Sequence, residues 1–183
     1  MALIVEDGTL VASANSYATV AQADDYLEAR ARDSAWASLD DDVKEGYLIQ
    51  ATDYMVQRYH ASWKGVRRSA AQALDWPRAY VDYEPVYQST GVVADPVTGG
   101  FWLPADEVPG RVIHACIELA VRAVSGALAP DLAAQKKRVQ VGPIEVEYAA
   151  AARESKAFQA VEQLLAPLLE NGGSSSMLTV LRA

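Results

Sequence analysis

The residues able to do chemistry are few here, and none falls into a catalytic pattern. His60 and His114 are the only histidines, and neither has a second His or a Cys at ligand spacing. A zinc site needs three or four such donors converging on one point, so no metal ligand is assigned. The chain contains no glycine-rich phosphate loop, nucleophile elbow or paired acid–base motif. Asp40–Asp41–Asp42 resembles a cation cluster only superficially, because acids at that position also favour the positive end of a helix. Glu145 and Glu147 stand two apart in a strand-like stretch and share one face, with Lys136, Lys137 and Arg138 close by. Cross-strand charge pairing accounts for them better than acid–base catalysis. The expectation is a protein with no catalytic residue, no metal and no cofactor, and hence no enzyme.

One cluster fits a binding chemistry. Trp63, Lys64, Arg67, Arg68, Trp76, Arg78 and Tyr80 interleave basic and aromatic side chains. Single-strand nucleic-acid binding uses that combination, through phosphate contacts and base stacking. The competing reading buries Trp63 and Trp76 as anchors of a turn and leaves the arginines solvated or paired with acids. The surroundings favour the second reading. Residues 1–60 carry four Lys/Arg against eleven Asp/Glu, and residues 79–110 carry five acids and no base. With a net charge of -8 the chain lacks the basic field of a phosphate-backbone binder. Its two basic islands, at 61–78 and 111–138, point to mixed-sign surfaces that meet other protein surfaces.

The elements that must position these residues follow from periodicity. Thr19 with Gln22 three residues on is a capping box that opens a helix to about Arg30. After the acidic triplet, Val43, Tyr47, Leu48, Ala51, Tyr54, Met55 and Tyr59 recur at helical spacing. A second box, Ser69…Gln72, predicts a short helix to Asp75 that stops before Trp76–Pro77. Asp106 is the expected cap of the most apolar helix, with Pro109 in its first turn and Val112, Ile113, Cys116, Ile117, Ala120, Val121, Val124 and Leu128 on its face. The lone Cys116 excludes an internal disulfide and reads as a buried apolar side chain. Charges at Glu118 and Arg122 break this stretch well below the roughly 20 residues a membrane span needs. No signal peptide is expected either, since Glu6 and Asp7 interrupt the start.

Alternation in Val139–Val141 and Ile144–Tyr148 about Gly142–Pro143 predicts a β-hairpin at about 137–148. Phe158, Val161, Leu164, Leu165, Leu168 and Leu169 predict a last helix shortened by Pro167. Ala2–Val5 reads as a short edge strand. Residues 79–105 read as a long irregular loop in which Tyr80, Tyr83, Tyr87, Phe101 and Trp102 are candidates for docking on a partner. Residues 171–176 are a Gly/Ser-type linker, followed by the apolar β-type segment Met177, Leu178, Thr179, Val180 and Leu181. A strand on such a tether is suited to joining another chain's sheet edge. The expected fold is mostly α: a small bundle of about four main helices with a β-hairpin and a long loop in a domain spanning 1–170, then an extended C-terminal arm at 171–183.

Taken as a series, several blocks carry a resemblance. They are Asn15–Ser16–Tyr17, Ala23–Asp24–Asp25–Tyr26, Ala35–Trp36, Gln50–Ala51–Thr52–Asp53–Tyr54, Trp63–Lys64–Gly65 and Gln72–Ala73–Leu74–Asp75–Trp76–Pro77–Arg78. Asp106–Glu107–Val108–Pro109, Glu118–Leu119–Ala120, Val141–Gly142–Pro143 and Val146–Glu147–Tyr148 continue it. In this order they resemble a family of phage and prophage proteins labelled DnaT-like single-stranded-DNA-binding. Proteins of this kind in turn resemble the helical head-completion adaptors of long-tailed phages. That resemblance implies a virion protein of the neck, made in the host cytoplasm, that forms a ring (dodecameric in those adaptors) under the portal. Its implied partners are the portal protein, further copies of itself, and a tail-side stopper or tail terminator. DNA would pass through the channel without specific binding, and no membrane is involved. Portal contacts would come from Met177–Leu181. The label itself implies the alternative, a replication accessory that binds single strands through Trp63, Lys64, Arg67 and Arg68.

Overall fold

The computed structural model describes residues 2–32, 34–85, 100–130, 138–141, 144–147 and 158–170. The expected arm at 171–183, Tyr87 and the middle of the central loop lie outside these residues.

Among the described residues, four α-helices and small antiparallel strand pairs make a mostly α fold. Helix α1 (Val20–Glu28) opens on the capping box read from the sequence. Gln22 N–H donates to Thr19 Oγ1 at 3.1 Å, and Thr19 N–H donates to Gln22 Oε1 at 2.9 Å. Helix α2 (Asp41–Tyr59) starts at the acidic triplet, with Asp40 at the N-cap and Asp41 and Asp42 in the first turn, so the triplet is a helix start. A 3-10 turn, His60–Ser62, follows. Helix α3 (Gly110–Val124) is the central element, as its apolar pattern requires, and packs chiefly on α2. Helix α4 (Gln159–Leu165) lies against α3 and tightens into a 3-10 turn at Ala166–Leu168, where Pro167 cannot continue the α-helix.

The core joins Leu48, Ala51 and Met55 of α2 to Val112, Ala115, Cys116, Leu119 and Ala120 of α3 and to Val161, Leu165 and Leu168. Small residues at Ala51, Ala115 and Ala120 let these helices approach closely. Cys116 is buried, as expected, with its Sγ 3.4 Å from Thr52 Oγ1, and burial pushes its thiol pKa up. Tyr17, Trp36 and Trp76 bring loop segments into the same core.

The strands are β1 (Val66–Arg67) with β2 (Arg78–Ala79), β3 (Asp82–Pro85) with β4 (Gly100–Trp102), and β5 (Arg138–Val141) with β6 (Ile144–Glu147). The last pair is the predicted hairpin, and its register sets Arg138 opposite Glu147.

Several expectations are corrected. The central segment is not an irregular loop from residue 79 onward, because β2, β3 and β4 brace both its ends. The Ser69…Gln72 box forms only in part and opens no helix. Gln72 accepts from Ser69 N–H at 3.0 Å but spends its amide on the Leu74 and Pro77 carbonyls, closing a turn. A helix this short gains too few backbone bonds to compete with that closure. Asp106 does not cap α3: Pro109 holds the N-cap position and Asp106 lies exposed in the preceding turn. Leu128 belongs to the core, though α3 ends before it at Val124. Ala2–Val5 forms one parallel bridge, Val5 with Ser16, instead of a strand, and the Asn15 side chain takes the Ile4 N–H at 2.8 Å. Finally, α2 turns Val43 outward and Lys44 inward, where its Nζ sits 3.1 Å from Asp24 Oδ1 beside the Trp36 ring.

Candidate functional site

The basic–aromatic cluster at 63–78 is an internal brace in this fold. Trp63 and Trp76 are both buried and meet edge to face, with ring centres 5.6 Å apart. Trp63 Nε1 donates to Asp75 Oδ2 at 3.2 Å, and the other oxygen of that buried carboxylate lies 2.5 Å from His60 Nδ1. Tyr17 Oη accepts the backbone N–H groups of Asp75 at 3.1 Å and Trp76 at 3.3 Å. Burial, and secondarily the Asp75 charge, push the Tyr17 pKa far above that of a free phenol, so the hydroxyl stays neutral. Neither indole presents a face on which a base can stack.

The cations also bond within the chain, Arg78 from a buried position and Arg68 from an exposed one. Arg78 is buried, and its guanidinium donates to the carbonyls of Lys64 (2.8 Å) and Gly65 (2.7 Å), reaching that of Asp75 at 3.4 Å. It thereby ties the 63–65 turn to the 75–78 segment, which is why β1 and β2 meet. Arg67 donates to the Gln72 carbonyl, and Arg68 to that of Gly8 at 3.2 Å. Lys64 Nζ sits 3.5 Å from Asp82 Oδ2 and 3.2 Å from the Asp82 carbonyl. Of the four residues that the alternative reading would place on nucleic acid, Trp63 is enclosed, and Lys64, Arg67 and Arg68 each bond within the chain.

Two of the docking-loop candidates are brought together at the surface. Tyr80 is 73% exposed and Trp102 is 44% exposed, with ring centres 6.4 Å apart in an edge-to-face contact. Val66, 54% exposed, stands opposite Ala79 in the β1–β2 pair, one residue from Tyr80. Tyr80 reaches this position through a left-handed backbone, φ 59°, between β2 and β3. Tyr83 and Phe101 belong to the paired strands β3 and β4, at the base of the segment that contains Tyr87.

A second surface was not anticipated from the sequence. Between α1 and α3 lies a cleft of about 340 Å³ lined by Gln22, Asp25, Tyr26, Arg30, Ile113 and His114, with Ile117 at its floor. The Arg30 guanidinium sits 3.6 Å from the Tyr26 ring centre, and the His114 ring lies 4.6 Å from the same ring. Burial and the nearby Arg30 charge lower the His114 pKa, so the imidazole is neutral at pH 7. Behind the cleft, the buried Glu118 receives Arg32 at 2.6 Å, Arg122, and the Tyr26 hydroxyl at 3.3 Å. Helical spacing puts Glu118 and Arg122 on one face, the only sequence signal this cluster offers. Among the described residues no group of His, Cys, Asp and Glu is placed to hold a metal ion.

Fold and surfaces together define a small, mostly helical protein whose polar side chains around Asp75 and Arg78 bond within the chain and whose braced side leaves aromatic rings in solvent. The chain belongs to the family described as "Putative DnaT-like ssDNA binding protein", whose model matches residues 1–183. No curated protein and no solved structure matches the chain.

Proposed function

We propose that this chain works by docking on protein, as a head–tail adaptor subunit that joins a portal and further copies of itself in a ring. The observation that carries the docking reading is the Tyr80–Trp102 pair with Val66, apolar groups held in solvent on braced strands. Exposed aromatics of this kind are enriched at protein interfaces. The step from docking to this partner rests on the resemblance to helical head-completion adaptors. The net charge of -8 agrees with it, since an acidic ring repels DNA passing through its channel. The enclosure of Trp63, and the bonds that Lys64, Arg67 and Arg68 make within the chain, weigh against single-strand binding through those residues, although Arg68 is exposed.

The second reading is binding of single-stranded DNA, and the family match supports it more directly than it supports the adaptor. In that case the α1–α3 cleft is the better-formed surface, because it sets Arg30, Tyr26 and His114 side by side at the surface. One experiment separates the two. The full chain is titrated with an assembled portal ring and with a fluorescent single-stranded oligonucleotide at moderate salt. Portal binding without oligonucleotide binding supports the adaptor. Salt-sensitive oligonucleotide binding that Arg30→Ala abolishes, with no portal binding, overturns it in favour of the family description. If Arg67→Ala with Arg68→Ala abolishes oligonucleotide binding instead, the placement on the cleft is wrong.

A further inference from the structure

Among the described residues, four large hydrophobic side chains are exposed, and three of them are Val66 in β1, Tyr80 directly after β2, and Trp102 in β4. The chain leaves its last described residue close by. Leu169 bridges Trp63, Glu170 N–H donates to the Ser62 carbonyl at 2.9 Å, and Lys64 N–H donates to the Leu168 carbonyl at 3.0 Å. Lys64 in turn contacts Asp82, which pairs with Trp102. Residue 170 is therefore held beside the strand that runs into Val66, on the side of the molecule that carries the aromatic pair.

Beyond it come a six-residue linker, 171–176, and the apolar segment Met177–Leu181. A flexible linker of that length has a typical end-to-end distance of roughly 13 Å and at full stretch spans about 20 Å. The path it must follow is a chain of direct contacts: Glu170 on Ser62, Lys64 on Asp82, and Asp82 paired with Trp102. A short tether also raises the local concentration of the segment to the order of millimolar, above any free partner at ordinary protein concentrations. Charge adds to the match: the segment carries no acid and is followed by Arg182, whereas residues 79–110 carry five acids and no base.

We propose that Met177–Leu181 folds back on its own chain and covers the Val66–Tyr80–Trp102 surface in the free subunit. The inference concerns the same surface that carries the docking reading, but its test uses neither portal nor DNA. Under the adaptor reading it adds a consequence, since portal and patch then compete for one segment and the aromatic pair is uncovered only on assembly.

Trp102 is a clean reporter, because Trp36, Trp63 and Trp76 are all buried. The test is acrylamide quenching of the full-length protein, with Trp102→Phe as the blank for the other three. Trp102 is expected to be protected, equally so on serial dilution. Leu178→Asp with Val180→Asp, in the full-length chain, should remove that protection while the helical circular dichroism stays unchanged. A synthetic peptide of residues 174–183 added to that variant should restore it. Quenching that is the same in both proteins would overturn the proposal. Protection that disappears on dilution would also overturn it, by assigning the segment to a second copy.

Discussion

Replacing Glu118 probes how the segment after α1 is held on the central helix. Its carboxylate side chain is 6% exposed, whereas its partners Arg32 and Arg122 are 44% and 25% exposed. Removing one partner of a fully buried pair costs about 3–5 kcal/mol. Here both arginines regain water on one side, so the cost of Glu118→Ala is nearer 2–3 kcal/mol. For a chain of this size that lowers the thermal midpoint by about 4–12 °C. Glu118→Gln keeps the shape and a carbonyl acceptor and should lose about half as much. The pH dependence has a definite sign. Burial alone would raise the Glu118 pKa, but the hydrogen bonds and charges of Arg122 and Arg32 outweigh it and hold the group below its ordinary value of 4.5. A depressed folded-state pKa contributes stability that is complete above the unfolded value and is lost as pH falls through the folded one. Differential scanning calorimetry of wild type and both variants, from neutral pH down into the acid range, should show a midpoint gap that closes in acid. An unchanged midpoint at neutral pH, or a gap that widens on acidification, would refute the reasoning.

Three further substitutions test the local geometry. Tyr17→Phe keeps the ring but strips the acceptor from the Asp75 and Trp76 N–H groups, at a cost of about 1–3 kcal/mol read as a lower urea midpoint with an unchanged slope. Gly8 has φ 104°, and a Cβ there would lie 2.0 Å from the Asp106 carbonyl oxygen, so Gly8→Ala should lower the thermal midpoint. Gly46 sits inside α2 with nothing within 4 Å of an added Cβ, so Gly46→Ala should raise that midpoint, by about 0.5–1 kcal/mol of stability. If both glycine variants move in the same direction, the local geometry is misassigned.

What could be read in advance was local. The Thr19–Gln22 box, the acidic start of α2, the apolar stripe of α3, the hairpin about Gly142–Pro143 and the short α4 before Pro167 each depend on residues within a turn or two of one another. Periods of 3.6 and 2 residues encode them directly. The braces β1–β4 escaped because β1 and β2 span only two residues each, and β3 pairs with β4 across a separation of about fifteen residues with no tight-turn signal between them. The Ser69…Gln72 box misled for a related reason: the same residue types close a turn when a carbonyl such as that of Pro77 is the better partner.

The candidate site divides along the same line. Composition alone identified which side chains had binding chemistry and made a globally basic nucleic-acid surface improbable, because net charge does not depend on the fold. It also marked Trp63 and Trp76 as possible anchors. Only the tertiary structure decided that they are anchors, since Tyr17 reaches the Asp75 and Trp76 backbone across 58 and 59 residues and Asp75 reaches the Trp63 indole across 12. Tertiary packing likewise left Tyr80 and Trp102 in solvent, turned Lys44 inward to Asp24, and gathered Arg32 and Tyr26 on Glu118 across 86 and 92 residues. A sequence specifies what each side chain can do, but pairing a buried charge or covering an aromatic ring is settled by what the rest of the chain brings within a few ångströms.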